Sequence, residues 1–190
     1  TEKLYTPTPI SIPGAREIQA VATNESRHSA VLAVDDHGDV WSWGPNSYGQ
    51  LGDGSEYFAG VTPVAVNMPA LTSFSRVAVS ARSSHAIDNQ GRAWGWGKDH
   101  LGEVGNGIER GANGPHLEPV ITAMPQGVSF NRIDAGPNHV LALDSGGRAW
   151  GWGNDVYGQL GNAGFPENKH SPTEVTMPED TSFTAISAGW

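Results

Sequence analysis

The sequence predicts an all-β protein: a partial β-propeller of four-stranded antiparallel blades, three of them full and a fourth truncated. Three observations predict it. The composition favours short strands and tight turns, a tryptophan-bearing segment returns three times, and the same turn and strand signals follow each copy.

The 190 residues include 25 Gly, 13 Pro and 7 Trp, with only 16% charged residues. Glycine and proline at that density punctuate the chain too often for long helices. The tryptophan segment Gly38-Asp39-Val40-Trp41-Ser42-Trp43-Gly44 recurs as Gly91-Arg92-Ala93-Trp94-Gly95-Trp96-Gly97 and as Gly147-Arg148-Ala149-Trp150-Gly151-Trp152-Gly153. The steps are 53 and 56 residues, from 38 to 91 and from 91 to 147. Each copy leads into a glycine-rich turn, of which Tyr48-Gly49-Gln50-Leu51-Gly52 and Tyr157-Gly158-Gln159-Leu160-Gly161 are nearly identical. Pro63-Val64, Pro119-Val120 and Pro172 then open each following unit, and a strand-like run follows at Phe74, Phe130 and Phe183.

A unit of this length with about four short strands is a propeller blade, which buries its sheet faces only by stacking on its neighbours. The expected units are 8–62, 63–118, 119–171 and a partial 172–190, forming one propeller segment over 1–190. In each the Pro-Val strand comes first, and the Trp-x-Trp strand comes last. Alternation along that last strand puts both tryptophans on one face and a small pair on the other: Val40/Ser42, Ala93/Gly95, Ala149/Gly151. A large face against a small one suits close stacking of twisted sheets.

In the third unit Gly136-Pro137-Asn138-His139-Val140-Leu141-Ala142-Leu143 precedes Gly147 to Gly153, and Asn154 to Gly161 follows. This series is similar to the repeat of the regulator of chromosome condensation family, here as a bacterial-type member or fragment. In the second unit His85 stands six residues before Gly91, where His139 stands eight before Gly147, and this reads as a strand or turn shortened by two. In the first unit Ala30 takes the histidine's place, and the corner before it is expected to be irregular. The resemblance implies a closed ring of about seven blades. Either further sequence beyond Trp190 or a second chain is therefore expected to cover the open end.

Charge and chemistry narrow the function classes. Twenty acids against eleven bases give a formal charge of -9, and no basic cluster is present, so a phosphate backbone is not the expected partner. No apolar run is long enough to span a bilayer, and there is no cysteine to bind a metal. The histidines lack metal-ligand spacing. The segments Asp35-Asp36-His37-Gly38 and Asp88-Asn89-Gln90-Gly91 read as hairpin turns, because Asp and Asn tolerate left-handed angles and bond locally to the backbone. No nucleophile elbow or phosphate loop occurs, so no catalytic residue, metal or cofactor is assigned and the chain is read as no enzyme.

What remains is partner binding. Residues 53–62, 106–118 and 162–171 vary while their flanks repeat, and all lie at one end of the array. Tyr57, Phe58, Arg110, His116, Phe165 and Lys169 are the expected contact residues for a protein partner. The resemblance implies a protein-presenting module: relatives act as an exchange factor on the Ran GTPase, as ultraviolet photoreceptors, as ubiquitin-ligase accessory domains or as β-lactamase inhibitors. The wedge and basic tail that the first role needs are missing from these residues, and so is a tryptophan cluster at a dimer face. The expectation is thus a non-catalytic interaction or scaffold module. The alternatives are a propeller domain within a larger surface adhesin or assembly, and a propeller-based polysaccharide lyase or hydrolase. Acidity, few lysines and no cysteine point to the cell surface or outside the cell, with the cytoplasm as the alternative.

Overall fold

The computed structural model describes residues 9–57, 60–109, 114–164 and 167–189. Twelve strands form three four-stranded antiparallel sheets, and no helix occurs among the described residues. The first sheet holds β1 (Ile18–Thr23), β2 (Val31–Asp35), β3 (Val40–Trp43) and β4 (Val64–Ala65) in that order. The second holds β5 (Phe74–Val79), β6 (Ser83–Asp88), β7 (Ala93–Gly97) and β8 (His116–Ile121). The third holds β9 (Phe130–Ala135), β10 (His139–Asp144), β11 (Ala149–Gly153) and β12 (Lys169–Glu174). These are the three blades of a partial β-propeller.

Unit boundaries shift by one strand from those expected. The Pro-Val segment does not open a blade but closes the preceding one: Val64 pairs with Ser42, Val120 with Gly95 and Thr173 with Gly151. After the long loop the chain returns to the free edge of the tryptophan strand, whose unpaired backbone groups need partners. The sheets therefore span 18–65, 74–121 and 130–174 instead of the sequence frame 8–62, 63–118, 119–171.

Stacking follows the large-on-small rule. Trp94 and Trp96 pack with Phe74 against Leu32, Val34 and Val40 of the first blade. Trp150 and Trp152 pack with Phe130 against Ile87 and Ala93 of the second. Phe74 stacks on Trp96 with ring planes 21° apart, and Phe130 repeats the arrangement on Trp152. Both indoles are fully buried, and each N–H donates across the blade boundary: Trp96 to the Gln50 carbonyl at 3.0 Å, Trp152 to that of Glu103 at 2.9 Å. Each blade thus hands a backbone acceptor to the next.

The hairpin between second and third strands is also a joint. Asp88 Oδ1 accepts from the Gln90 and Arg92 amides at 2.9 and 3.0 Å, while Oδ2 accepts from Arg92 Nε at 2.7 Å and Trp94 Nε1 at 3.0 Å. Asp144 makes the same four bonds in the third blade. The glycines that follow, Gly38, Gly91 and Gly147, have φ of 81°, 77° and 79°. Their carbonyls accept from Phe74, Phe130 and Phe183 at 2.9, 2.8 and 2.8 Å, so each hairpin tip receives the start of the next unit. The fourth unit begins like its predecessors at Phe183, although residues 175–189 form no strand.

One further difference and one agreement concern the corner between first and second strands. The second unit carries no deletion: β6 and β10 have equal length, and their pairing aligns Ser83 with His139, opposite Gly97 and Gly153. His85 instead matches Leu141, so it does not share the repeat position of His139. A displacement of two residues keeps the same sheet face, which is why the sequence spacing imitated a deletion. The irregular corner of the first blade is present, with residues 24–30 separating β1 from β2 where 80–82 and 136–138 serve in the others.

Candidate functional site

Alternation of strand direction places the corners 24–30, 80–82 and 136–138 at the same end as the long connections between third and fourth strands. This loop face is organised by a turn repeated in each blade. Its first polar residue accepts an amide five residues on: Asn46 from Leu51 at 2.9 Å, Asp99 from Val104 at 3.0 Å, Asp155 from Leu160 at 2.9 Å. Its fifth residue accepts from an amide two back: Gln50 from Tyr48, Glu103 from Leu101, Gln159 from Tyr157. Two side-chain acceptors fixing one short turn make a rigid platform.

On this platform the first two blades meet in a cluster of aromatic and cationic side chains. The Arg82 guanidinium lies 5.2 Å from the centre of the Tyr48 ring, and the His100 ring meets Tyr48 edge-on at 6.3 Å. Tyr48 comes from the first turn, Arg82 from the second blade's corner and His100 from its turn. The equivalent of Tyr48 in the third blade, Tyr157, is 92% exposed beside a cleft of about 230 Å³ lined by Asn138, His139, Asn154 and Gln159.

The second blade also differs in charge. Glu103 stands where its neighbours carry Gln50 and Gln159, and its carboxylate accepts from Lys98 Nζ at 2.8 Å in a buried pair. Lys98 reaches across to Asn138 Oδ1 at 3.3 Å, tying the second turn to the third blade's corner. Nearby, His85 is completely buried, its Nε2 3.0 Å from Ser83 Oγ, and Nδ1 has no hydrogen-bond partner. Burial pushes its pKa down to about 3 against a smaller opposing effect of the Asp99 charge, so this imidazole is neutral at physiological pH. Burial likewise lowers the pKa of His139, with Asp134 and Asp155 opposing.

Of the six residues singled out from the sequence, the three that are described do not converge. Phe58, Arg110 and Phe165 lie outside the described residues. Tyr57 is on the surface, 84% exposed, and its backbone carbonyl accepts from Asn46 Nδ2 at 3.0 Å. His116 is not a loop residue: it begins β8, paired with Gly97, and is buried with Nε2 3.2 Å from Asp99 Oδ2 and 3.0 Å from Asn106 Nδ2. As an internal bond partner it cannot act as a surface anchor. Lys169 holds the matching place in β12 opposite Gly153, and pairs with Glu167 at 3.1 Å. Sequence reasoning missed the Tyr48, Arg82 and His100 cluster. Tyr48 sits in a repeated turn, which reads as structural, and Arg82 reaches it only once the blades stack.

With this geometry in view, comparison with known proteins settles the family. The model of the regulator of chromosome condensation (RCC1) repeat matches residues 37–87 and 146–190, just over half of the chain, and a second RCC1 repeat model matches 130–159. The chain belongs to the RCC1 repeat family. Its RCC1 repeats are 30% identical to the ultraviolet-B receptor UVR8 of Arabidopsis thaliana, over 100% of this chain and 41% of that protein. The human E3 ubiquitin-protein ligase HERC2 is 28% identical over 93% of the chain, which is 4% of its length. Among solved structures, human WBSCR16 superposes with a TM-score of 0.79 at 22% identity, covering 97% of this chain and 46% of that one. Yeast RCC1 (Prp20) bound to Kap60 superposes with a TM-score of 0.74 at 20% identity, covering 88% and 38%. This RCC1 segment spans less than half the length of these proteins.

Proposed function

We propose that this RCC1-repeat segment is a non-catalytic interaction module that receives a protein partner on its loop face, centred on Tyr48, Arg82 and His100. The observation that carries the reading is the preassembled cluster at the boundary of two blades: side chains from three separate segments, on turns fixed by buried acceptors. Aromatic and arginine side chains held rigidly contribute most to protein recognition, because little ordering is left to complete on binding. Tyr57 and Tyr157 extend the same face outward. The family supports the reading, since its members include a receptor and an RCC1 solved in complex with Kap60.

The test compares proteins retained from a cell extract by the immobilised chain and by two variants. Tyr48→Ala with Arg82→Ala should lose specific partners while its urea midpoint stays near that of the wild type. Asp39→Ala, at the opposite end, should keep them. Retention of an identical set by all three forms would remove the loop face from consideration.

A further inference from the structure

The end of the array opposite the loop face carries a second feature that the loop-face reading leaves unused. In the second and third blades, arginine recurs at two equivalent positions. Arg76 and Arg132 are the third residues of the innermost strands β5 and β9, paired with Ile87 and Leu143. Arg92 and Arg148 directly precede β7 and β11. The first blade has Ala20 and Asp39 at these places, so the pattern belongs to two blades and not to the fold.

Their surroundings leave positive charge facing solvent. Asp88 and Asp144 are buried, and each of their oxygens already accepts two hydrogen bonds. The exposed hairpin tips are uncharged, Asn89-Gln90-Gly91 in one blade and Ser145-Gly146-Gly147 in the other. Arg92 and Arg148 engage those aspartates through Nε and keep 38% and 50% of their side chains exposed, and Arg148 Nη1 also lies 3.9 Å from Glu174 Oε1. Arg76 and Arg132 are exposed, and among the described residues neither lies within 4.0 Å of a carboxylate. Arg76 Nη1 donates to the carbonyl of Ser75 at 2.7 Å.

Each of these two guanidiniums borders a cleft at a junction between successive units. The cleft beside Arg76 is about 400 Å³ and is also lined by Ser75 and Asn89 and, from the first blade, by Asp35, Asp36 and His37. The cleft beside Arg132 is about 250 Å³ and exposes Asn131, Ser145 and Thr184. Amide and hydroxyl donors flanking a planar fork of N–H groups suit a carboxylate, which takes two parallel bonds from arginine.

We infer that this arginine-bearing end of the second and third blades docks an acidic segment of a protein partner. Charge complementarity selects that occupant. Four of the chain's eleven bases gather here although its net charge is -9, and two of them, Arg76 and Arg132, have no carboxylate within 4.0 Å among the described residues. A long polyanion such as nucleic acid meets the negative field of the whole molecule and needs an extended basic track. A short acidic peptide samples only the local patch.

The probe is a fluorescein-labelled hexaglutamate peptide, titrated with the whole chain at low ionic strength and followed by anisotropy. Saturable binding should weaken by about tenfold or more in the double variant Arg76→Glu with Arg132→Glu, since each reversal replaces an attraction with a repulsion. Arg27→Glu on the loop face should leave it unchanged. A second double variant, Arg76→Lys with Arg132→Lys, keeps the charge and loses the fork, so it should fall between wild type and reversal. This lysine form decides the matter if the charge reversal fails to fold. Absence of saturable binding, equal affinity in the wild type and both double variants, or tighter binding of an oligonucleotide of equal charge through the same arginines would each overturn the inference. The Tyr48 and Arg82 variants enter none of these outcomes, and weakening by Arg27→Glu equal to that of the charge reversal would also overturn the inference, so failure here is distinguishable from failure of the proposed function.

Discussion

Replacing Gly91 by alanine separates two costs that this architecture imposes on the same residue. Its φ of 77° lies where a Cβ meets the following carbonyl, a strain of about 1–2 kcal/mol for an L-residue. The added methyl would also stand 2.7 Å from Ser129 Cβ and 3.1 Å from the Phe130 carbonyl, in the next unit. Forcing an extra carbon into a filled space costs about a further 1–3 kcal/mol. Gly127 supplies the reference, because its φ is 73° and an added Cβ would meet nothing within 4 Å. Both replacements restrict the unfolded chain equally, so that contribution cancels in the comparison. Gly91→Ala should therefore be destabilised relative to Gly127→Ala by about 1–3 kcal/mol, read from urea midpoints at constant m-value. Equal midpoints within about 0.5 kcal/mol would refute the claim that the hairpin tip is clamped by the neighbouring unit.

Three other outcomes are expected. Trp152→Phe removes the N–H that meets the Glu103 carbonyl in a buried joint and should cost about 2–3 kcal/mol; Trp43→Phe, on the partly exposed face of the first blade, should cost much less, with both read by urea denaturation. Lys98→Met strands a buried Glu103 carboxylate at a cost of about 3–5 kcal/mol, whereas Lys98→Met with Glu103→Gln restores the amide of the neighbouring turns and should recover most of it in a double-mutant cycle. The buried His85 has a folded pKa near 3, well below its unfolded value, so the unfolded chain takes up its proton first on acidification. Its contribution to stability is present at neutral pH and is lost as pH falls through the mid-6 range towards 3. His85→Leu, the residue found at the matching Leu141, should flatten that limb, and the His85 ring resonances of the wild type should stay unshifted between pH 7 and 5. A wild-type ring titrating near its ordinary value would exclude the buried neutral form.

The fold was legible where the repeat was literal. The Trp-x-Trp strands, their small reverse faces and the Asp-to-Gly hairpins stand in the structure as their spacing and alternation required. The errors lie where several residue patterns satisfy one geometry. A Pro-Val strand can pair with the sheet before it or the one after, and its own residues do not say which edge is free. His85 and Ser83 lie two apart on one face, so either could match His139 until the pairing opposite Gly97 fixed the register. The candidate site was less legible. Side chains in variable loops were favoured, yet His116 is drawn inward by Asp99, and the Tyr48 cluster exists only because Arg82, thirty-four positions along the chain, arrives by blade stacking. Contacts made between units leave no periodic trace within either unit.

The indole-to-carbonyl joint between blades has a genealogical consequence. Donor and acceptor both sit at fixed places in the repeat, so a duplicated stretch of gene brings its own plug and its own socket. Copying or losing one whole unit preserves every seam, wherever within the unit the cut falls. Such an array can change length in single steps without a compensating mutation, while the two ends of each blade diverge toward separate uses.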